Sequence, residues 1–513
     1  MIKSIFQATV ILLCTKNSLE KTDFEKHRFP ADFSFGVASS AYQIEGGYNE
    51  DGKGESIFDH YTKTKPKKFF NETNGNVACD SYHKWRTDVK LLADLGVDFY
   101  RFSISWSRIL PQGFSRPING DGLRYYNDLI NELIANGIEP MVTMHHKDMP
   151  MVLQRLGGWT NPYTAYYFED YARILFGYFG DRVKNWITLE ADCSGYGDDV
   201  DPPFIDEPST SRYLCTHVML LAHAKVYLLY DEEFRTSQNG KIGIGVNASW
   251  YEAGSFAPED IIAAERTREF KIGSIMNPIF HTDGNYPRIM RERVYNVSRE
   301  EGYLQSRLPI LSPQEIDYIQ GTYDFAGLNI DTTFLVRQNT EKTNETATKK
   351  DLNVTFYQDK SWTKTNTDWL RVVPDGVRKV LKWVKDKYDD PEIFIIGNGF
   401  TDKAEINDAK RVQNLQKYLQ AILESIHEDG TNIKGYAIWS FLDSFQWTSG
   451  YRWECVWKMS RIFFLLFPDL SREKYGLYHV DFSDANRKRT ARKSAIWYKK
   501  VIKEKRVVDL KEV

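Results

Sequence analysis

Short apolar runs rich in β-branched and aromatic residues recur eight times along the chain, at 33–39, 98–106, 139–146, 184–190, 241–249, 323–330, 392–399 and 434–441. Several, such as EIFIIG and KGYAIW, are almost continuously apolar, the pattern of a parallel strand covered on both faces. Between them lie stretches such as WRTDVKLLADLG (85–96), GLRYYNDLINELIANG (122–137) and GVRKVLKWVKDKY (376–388). These repeat apolar residues at i, i+3 and i+4 and stop at glycine or shortly before proline. Parallel strands need crossover connections, and eight strand-then-helix units in one chain predict a closed (β/α)8 barrel. The expected fold class is therefore α/β, a single TIM barrel with long rim loops spanning 19–513. A chain of 513 residues is long for one domain, but barrels of this type commonly exceed the usual ~150 residues.

Composition removes several alternatives. Hydrophobic residues at 42% and aromatics at 14% are too many for a disordered or low-complexity chain. Lys+Arg 67 against Asp+Glu 70, without a basic block, speaks against a nucleic-acid partner. No stretch approaches ~18 uninterrupted apolar residues, so no membrane span is expected. The chain has neither a C-x-x-C pair nor an H-E-x-x-H motif, so no metal and no cofactor are expected.

Residues 1–18, MIKSIFQATVILLCTKNS, have the basic start, apolar centre and small polar end of a secretory signal peptide. Sequons at Asn71, Asn247, Asn296, Asn344 and Asn353 are candidate glycosylation sites. Cys193 and Cys215 flank a short loop and could bridge in an oxidising compartment. Together these features predict a secreted, extracellular protein.

In (β/α)8 barrels the chemistry sits at the carboxyl ends of the strands. Those ends carry Ser40–Gln43, Ser105–Trp106, His145–His146, Glu190, Asn329, Asn398 and Trp439, a convergence of amides and aromatics that predicts a pocket. Two stretches read as insertions. Residues 337–365 are polar and Thr/Lys-rich, with two sequons, and read as an exposed glycosylated loop. Residues 454–473 contain the apolar run IFFLLF, which is either a hydrophobic flap over the pocket or the translation of a retained intron.

Five ordered blocks carry a family resemblance. They are FPADFSFGVASSAYQIEGG (29–47), YRFSISWSRILPQG (100–113), GGWTNP (157–162), CTHVMLLAHAKVY (215–227) and GYAIWSFLDSFQWTSGY (435–451). From Phe29 to Tyr498 the chain resembles glycoside hydrolase family 1, the β-glucosidase and myrosinase family, and looks most similar to its secreted animal members. The resemblance implies a retaining hydrolase, in which one carboxyl group protonates the glycosidic oxygen and a second, about 5 Å away, attacks the anomeric carbon. The family places the acid/base Glu in a T-x-N-E-P block and the nucleophile Glu in an I-T-E-N-G block. Here the blocks read Thr188-Leu189-Glu190-Ala191-Asp192 and Ile395-Ile396-Gly397-Asn398-Gly399. Gly397 stands at the nucleophile position. In an ungapped comparison Ala191 stands at the acid/base position and Glu190 replaces Asn. A one-residue deletion would instead make Glu190 the acid/base, but slipping a strand by one residue reverses the face of its side chains, which favours the ungapped reading.

By the same resemblance Gln43, His146, Asn329, Trp439 and Trp447 match positions that contact the glycone, and Gln446 replaces a carboxylate there. Lys147 replaces a Trp, Asp331 a Tyr, and Arg101 matches a residue beside the nucleophile. The implied partner is a small-molecule glycoside or related ligand, and the changed charges suggest an anionic or non-sugar one. The favoured function is a β-glucosidase-like binder that has lost catalysis. The alternatives are an active β-glycosidase using Glu190 and a secreted protein without a ligand.

Overall fold

The computed structural model describes residues 27–197, 199–207, 209–340, 347–403, 405–451 and 473–513. The signal-like segment, Asn344 and nearly all of the 454–473 insertion lie outside the described residues.

Eight strands close into one parallel barrel, in chain order around the ring. They are β1 (Ser34–Ala38), β2 (Phe99–Ser103), β3 (Glu139–His145), β4 (Asn185–Glu190), β5 (Lys241–Asn247), β6 (Phe325–Asn329), β7 (Ile393–Asn398) and β8 (Ile433–Trp439). All eight fall on the runs read from the sequence. The helical patterns correspond to α1 (Ser81–Leu95), α2 (Gly120–Ala135) and α5 (Pro374–Lys387). The same outer ring contains α3 (Thr164–Phe179), α4 (Ser211–Glu233), α6 (Ala409–His427) and α7 (Lys493–Glu504). No described helix is long and apolar enough to cross a membrane.

The strands look continuously apolar because both faces are buried, but against different partners. Ala38, Phe99, Met141, Ile187, Phe325, Phe394, Ile396 and Ala437 point inward and fill the barrel. The other faces join a larger core beneath the helices. Glycines make room for the inner rings. A Cβ on Gly36 would lie 2.5 Å from the Phe99 ring, one on Gly243 2.5 Å from Phe325, and one on Gly435 2.8 Å from Phe394. Ring-over-glycine packing brings the inner layer to native density.

Regularity breaks at the carboxyl ends of two strands. From Ile187 to Glu190, β4 advances three residues while β5 advances two, from Gly243 to Gly245. From Ile395 to Gly397, β7 advances two residues while β6 advances one, from Leu328 to Asn329. Each is a β-bulge, which inserts a residue and re-aims the side chains beyond it. The two bulges lie in the blocks where the family resemblance places its carboxylates.

The 337–365 stretch is a correction to the sequence reading. Rather than a loop throughout, it carries a helix and a strand, while its surface stays mostly exposed or half-buried. Thr333–Gln338 pairs in parallel with Trp250–Ala253 and antiparallel with Val354–Tyr357, and Ala347–Leu352 forms a helix. Asp351 is fully buried, with its oxygens 2.9 and 2.6 Å from two Arg307 nitrogens and 2.6 Å from the Tyr213 hydroxyl. Of its sequons, Asn353 is half-buried.

Removing one member of a buried ion pair costs about 3–5 kcal/mol. Asp351→Asn should therefore lower the urea midpoint and open the 337–365 segment to proteolysis. An unchanged midpoint and cleavage pattern would show that the pair does not anchor this segment.

Candidate active site

Arg101 sits at the centre of the barrel mouth. Its place on β2, two residues after the inward-facing Phe99, turns it into the barrel, where it is almost wholly buried. Its Nε donates to Thr143 Oγ1 on β3 at 3.1 Å, and its Nη1 donates to the Ile396 carbonyl on β7 at 2.9 Å and to Asn329 Oδ1 on β6 at 3.3 Å. Its Nη2 forms an ion pair with Glu190 Oε1. Burial pushes the guanidinium's pKa down.

Glu190 reaches Arg101 because of the β4 bulge. The extra residue puts its side chain on the inner face, as for Ile187, while Thr188 between them turns outward to the His223 ring, 2.8 Å away on α4. Room for the carboxylate comes from Gly245 opposite, where a Cβ would lie 2.7 Å from Glu190 Oε2. Asn329 Nδ2 donates to the same oxygen at 2.7 Å.

Gly397 borders this cluster. A Cβ built there would lie 2.5 Å from Asn329 Oδ1 and 3.7 Å from Arg101 Nη1. Asn329 thus leans into space that a side chain at 397 would need. Ala191, one residue beyond Glu190, lines a different space: a cavity of about 730 Å³ whose walls also include Asp192, Asn247, Tyr251, Phe270 and Phe356.

A second group of the expected residues gathers on the far side of the mouth. The His146 ring lies 5.8 Å from Trp439 and 5.6 Å from Trp447, centroid to centroid. Gln43 is fully buried; its amide donates to the Phe445 carbonyl at 2.7 Å and accepts from the Ser40 hydroxyl at 2.7 Å. Gln446 donates to Ser444 Oγ at 2.9 Å. His146 is neutral: burial, then the charges of Arg101 and Lys147, drive its pKa well down.

Lys147, in the left-handed backbone region at φ 65, crosses the rim. Its Nζ lies 2.7 Å from Asp192 Oδ2 and 3.7 Å from Asp201 Oδ2, donates to Ser194 Oγ at 3.1 Å, and stands 5.5 Å above the Trp447 ring. Burial disfavours the Asp192 charge, but Lys147 and the Ser194 amide outweigh it and hold that carboxyl far below its usual range. Asp331 stands apart: burial alone pushes its carboxyl up to about 6, and its charge bears on Tyr251, Tyr418 and Tyr475.

Among the described residues, the two cations read at the mouth are matched, Arg101 by Glu190 and Lys147 by Asp192 and Asp201. Asn247, read as a glycosylation site, lies at the rim end of β5, 3.4 Å from Asn329 Nδ2, where a glycan would crowd the mouth. Asn71 and Asn296 lie exposed on the surface. Cys193 and Cys215 are joined in a disulfide that ties the loop after β4 to the first turns of α4. Among the described residues no cluster of three or more His, Cys, Asp or Glu is placed to hold a metal ion. The sequence reading passed over Thr143 and Gly245 and took Asn247 only as a sequon, although the polar end of β5 was there to be read.

The family profile described as "Glycosyl hydrolase family 1" matches residues 25–457 and 464–507. The chain belongs to glycosyl hydrolase family 1. The break in the match falls within the 454–473 insertion. Among its relatives, "Myrosinase 1" of Brevicoryne brassicae is 41% identical over 93% of this chain and 98% of its own length. The cytosolic β-glucosidase of Homo sapiens is 38% identical over 93% and 98%. Among solved structures, an aphid myrosinase superposes with a TM-score of 0.86 at 41% identity, covering 93% of this chain and 100% of that one. A family 1 β-glucosidase from Humicola insolens, solved in complex with glucose, gives 0.82 at 32% identity over 93% and 98%. The overall fold is thus that of the β-glucosidases.

The buried histidines set an acid limit on the fold. Burial pushes His145 down to about 3 and His223 down to about 4, whereas an unfolded histidine takes a proton near 6.5. Below pH ~6.5 the unfolded chain binds protons that the folded chain refuses, so stability falls as pH drops from there towards 4. In His223→Gln that fall should be shallower, by up to about 1.4 kcal/mol per pH unit, when melts are compared between pH 7 and 5. Parallel slopes would show that His223 does not contribute.

Proposed function

We propose that this family 1 protein binds a neutral glycoside or related small ligand in its barrel mouth and does not hydrolyse it. Gly397 carries the proposal. Hydrolysis with retention needs two carboxyl groups about 5 Å apart, one of them free to attack. The position of the attacking group has no side chain, and Ala191 leaves the acid/base position without an acid. Glu190 turns into the mouth, but its carboxylate is taken up by Arg101 and Asn329. A carboxylate tied to a buried guanidinium is held ionised and is a poor proton donor. What remains is a surface suited to a sugar: the Trp439 and Trp447 indoles beside His146, with the Gln446 amide next in the chain. The Cys193–Cys215 disulfide and the signal-like start support a secretory, oxidising setting for this role.

Purified protein with 4-nitrophenyl β-glucoside should release nitrophenol no faster than buffer does. Turnover abolished by Glu190→Gln would replace this reading with that of an active hydrolase. Titration with the same glucoside, followed by tryptophan fluorescence, should saturate. Trp439→Ala should weaken binding about tenfold, equivalent to ~1.4 kcal/mol of lost ring contact. A flat titration would remove the ligand from the proposal.

Because both cations of the mouth are matched, 4-nitrophenyl β-glucuronide should bind more weakly than the glucoside. Tighter binding of the glucuronide would mean that a positive charge is in fact available to the ligand.

A further inference from the structure

We infer that Glu190 serves as the counter-ion of Arg101 in place of a carboxylate at position 397, and that the two positions compete for this one guanidinium. The inference goes beyond ligand binding and does not depend on it.

Three observations meet at this point. Arg101 is buried under the mouth, and its ion-pair partner is Glu190, delivered across the barrel from β4. A carboxylate on a side chain at 397 could reach the same guanidinium, because a Cβ there would already lie 3.7 Å from Arg101 Nη1. The space such a side chain needs is held by Asn329 Oδ1, 2.5 Å from that Cβ, and Asn329 is itself held by Glu190 Oε2 at 2.7 Å. An arginine in a poorly solvated site stays charged and needs a nearby negative charge. One carboxylate, from 190 or from 397, satisfies it. Two would face each other across a single cation, and none would leave that cation unpaired. The glycine at 397 and the glutamate at 190 are therefore parts of one exchange. Glu190 acts through Arg101 and Asn329 as a positioning residue, and it holds the floor of the mouth in an arrangement that has no place for an acid at 397.

The test is a double-substitution cycle read by thermal melting without ligand, so its failure would leave the binding proposal untouched, and the reverse holds as well. Glu190→Asn should lower Tm by several degrees because it strands Arg101. Gly397→Glu in the unaltered chain should also lower Tm, through the Asn329 contact and the second carboxylate. Combined, Glu190→Asn and Gly397→Glu should melt well above the sum of the two losses, because the new carboxylate takes the guanidinium. Gly397→Gln in the Glu190→Asn background should give no such recovery, which separates charge from filled space. Losses that simply add, or equal recovery by Gln and Glu, would overturn the exchange. If Glu190→Asn alone yields no folded protein, recovery of folded protein on adding Gly397→Glu supports the exchange, and failure to recover overturns it.

Discussion

A guanidinium placed beneath the mouth of a parallel barrel has to be surrounded by acceptors, because little water reaches it there. Arg101 meets that need with partners from four other strands: a hydroxyl on β3, a carboxylate on β4, an amide on β6 and a backbone carbonyl on β7. One side chain from β2 thus links the inner faces of most of the ring. The two bulges, at the ends of β4 and β7, bring the Glu190 carboxylate and the Ile396 carbonyl within its reach. A barrel could close without this cluster, since the ring-over-glycine layer below it is apolar and self-sufficient. The shape and charge of the mouth could not stay as they are.

The same logic of matched charge extends along the rim. The ammonium of Lys147, half-enclosed at the rim, would be costly without partners. Asp192 and Asp201 supply them, and the disulfide holds the loop that carries Asp192. Beside the Lys147 ion pairs, the Trp447 and Trp439 indoles and the neutral His146 imidazole form one wall of the mouth. Such walls offer hydrogen bonds and flat apolar faces, which is what a neutral polyhydroxylated ring can use, but they offer little to a reaction that must stabilise developing charge.

Much of this was legible in the sequence. All eight strands showed as apolar runs, because a barrel strand is covered on both faces and has few polar positions to interrupt it. Gly397 was legible because Asn398 and Gly399 bracket it within an otherwise recognisable block. The polar stretch 337–365 was read as a loop, since composition reports the average of a segment and hides the helix and strand within it. Asp351, which pins it, is one charged residue among many, and only its partner Arg307 distinguishes it from a solvated one. The partners of Arg101 and Lys147 were invisible for a related reason: the sequence shows charged residues one at a time, and their counter-ions lie elsewhere in the chain.

Glu190 marks the boundary between the two kinds of information. The order of residues determined that an acid stands at the end of β4, that no acid stands at 397, and that a barrel would bring these strand ends to a common rim. Which way that acid points, and what it holds, was decided by the register of β4 against β5, where one extra residue turns its side chain inward above Gly245. Register is a property of paired strands rather than of either strand alone. The contact between residues 101 and 190 likewise exists only once the ring has closed and brought β2 and β4 to the same floor.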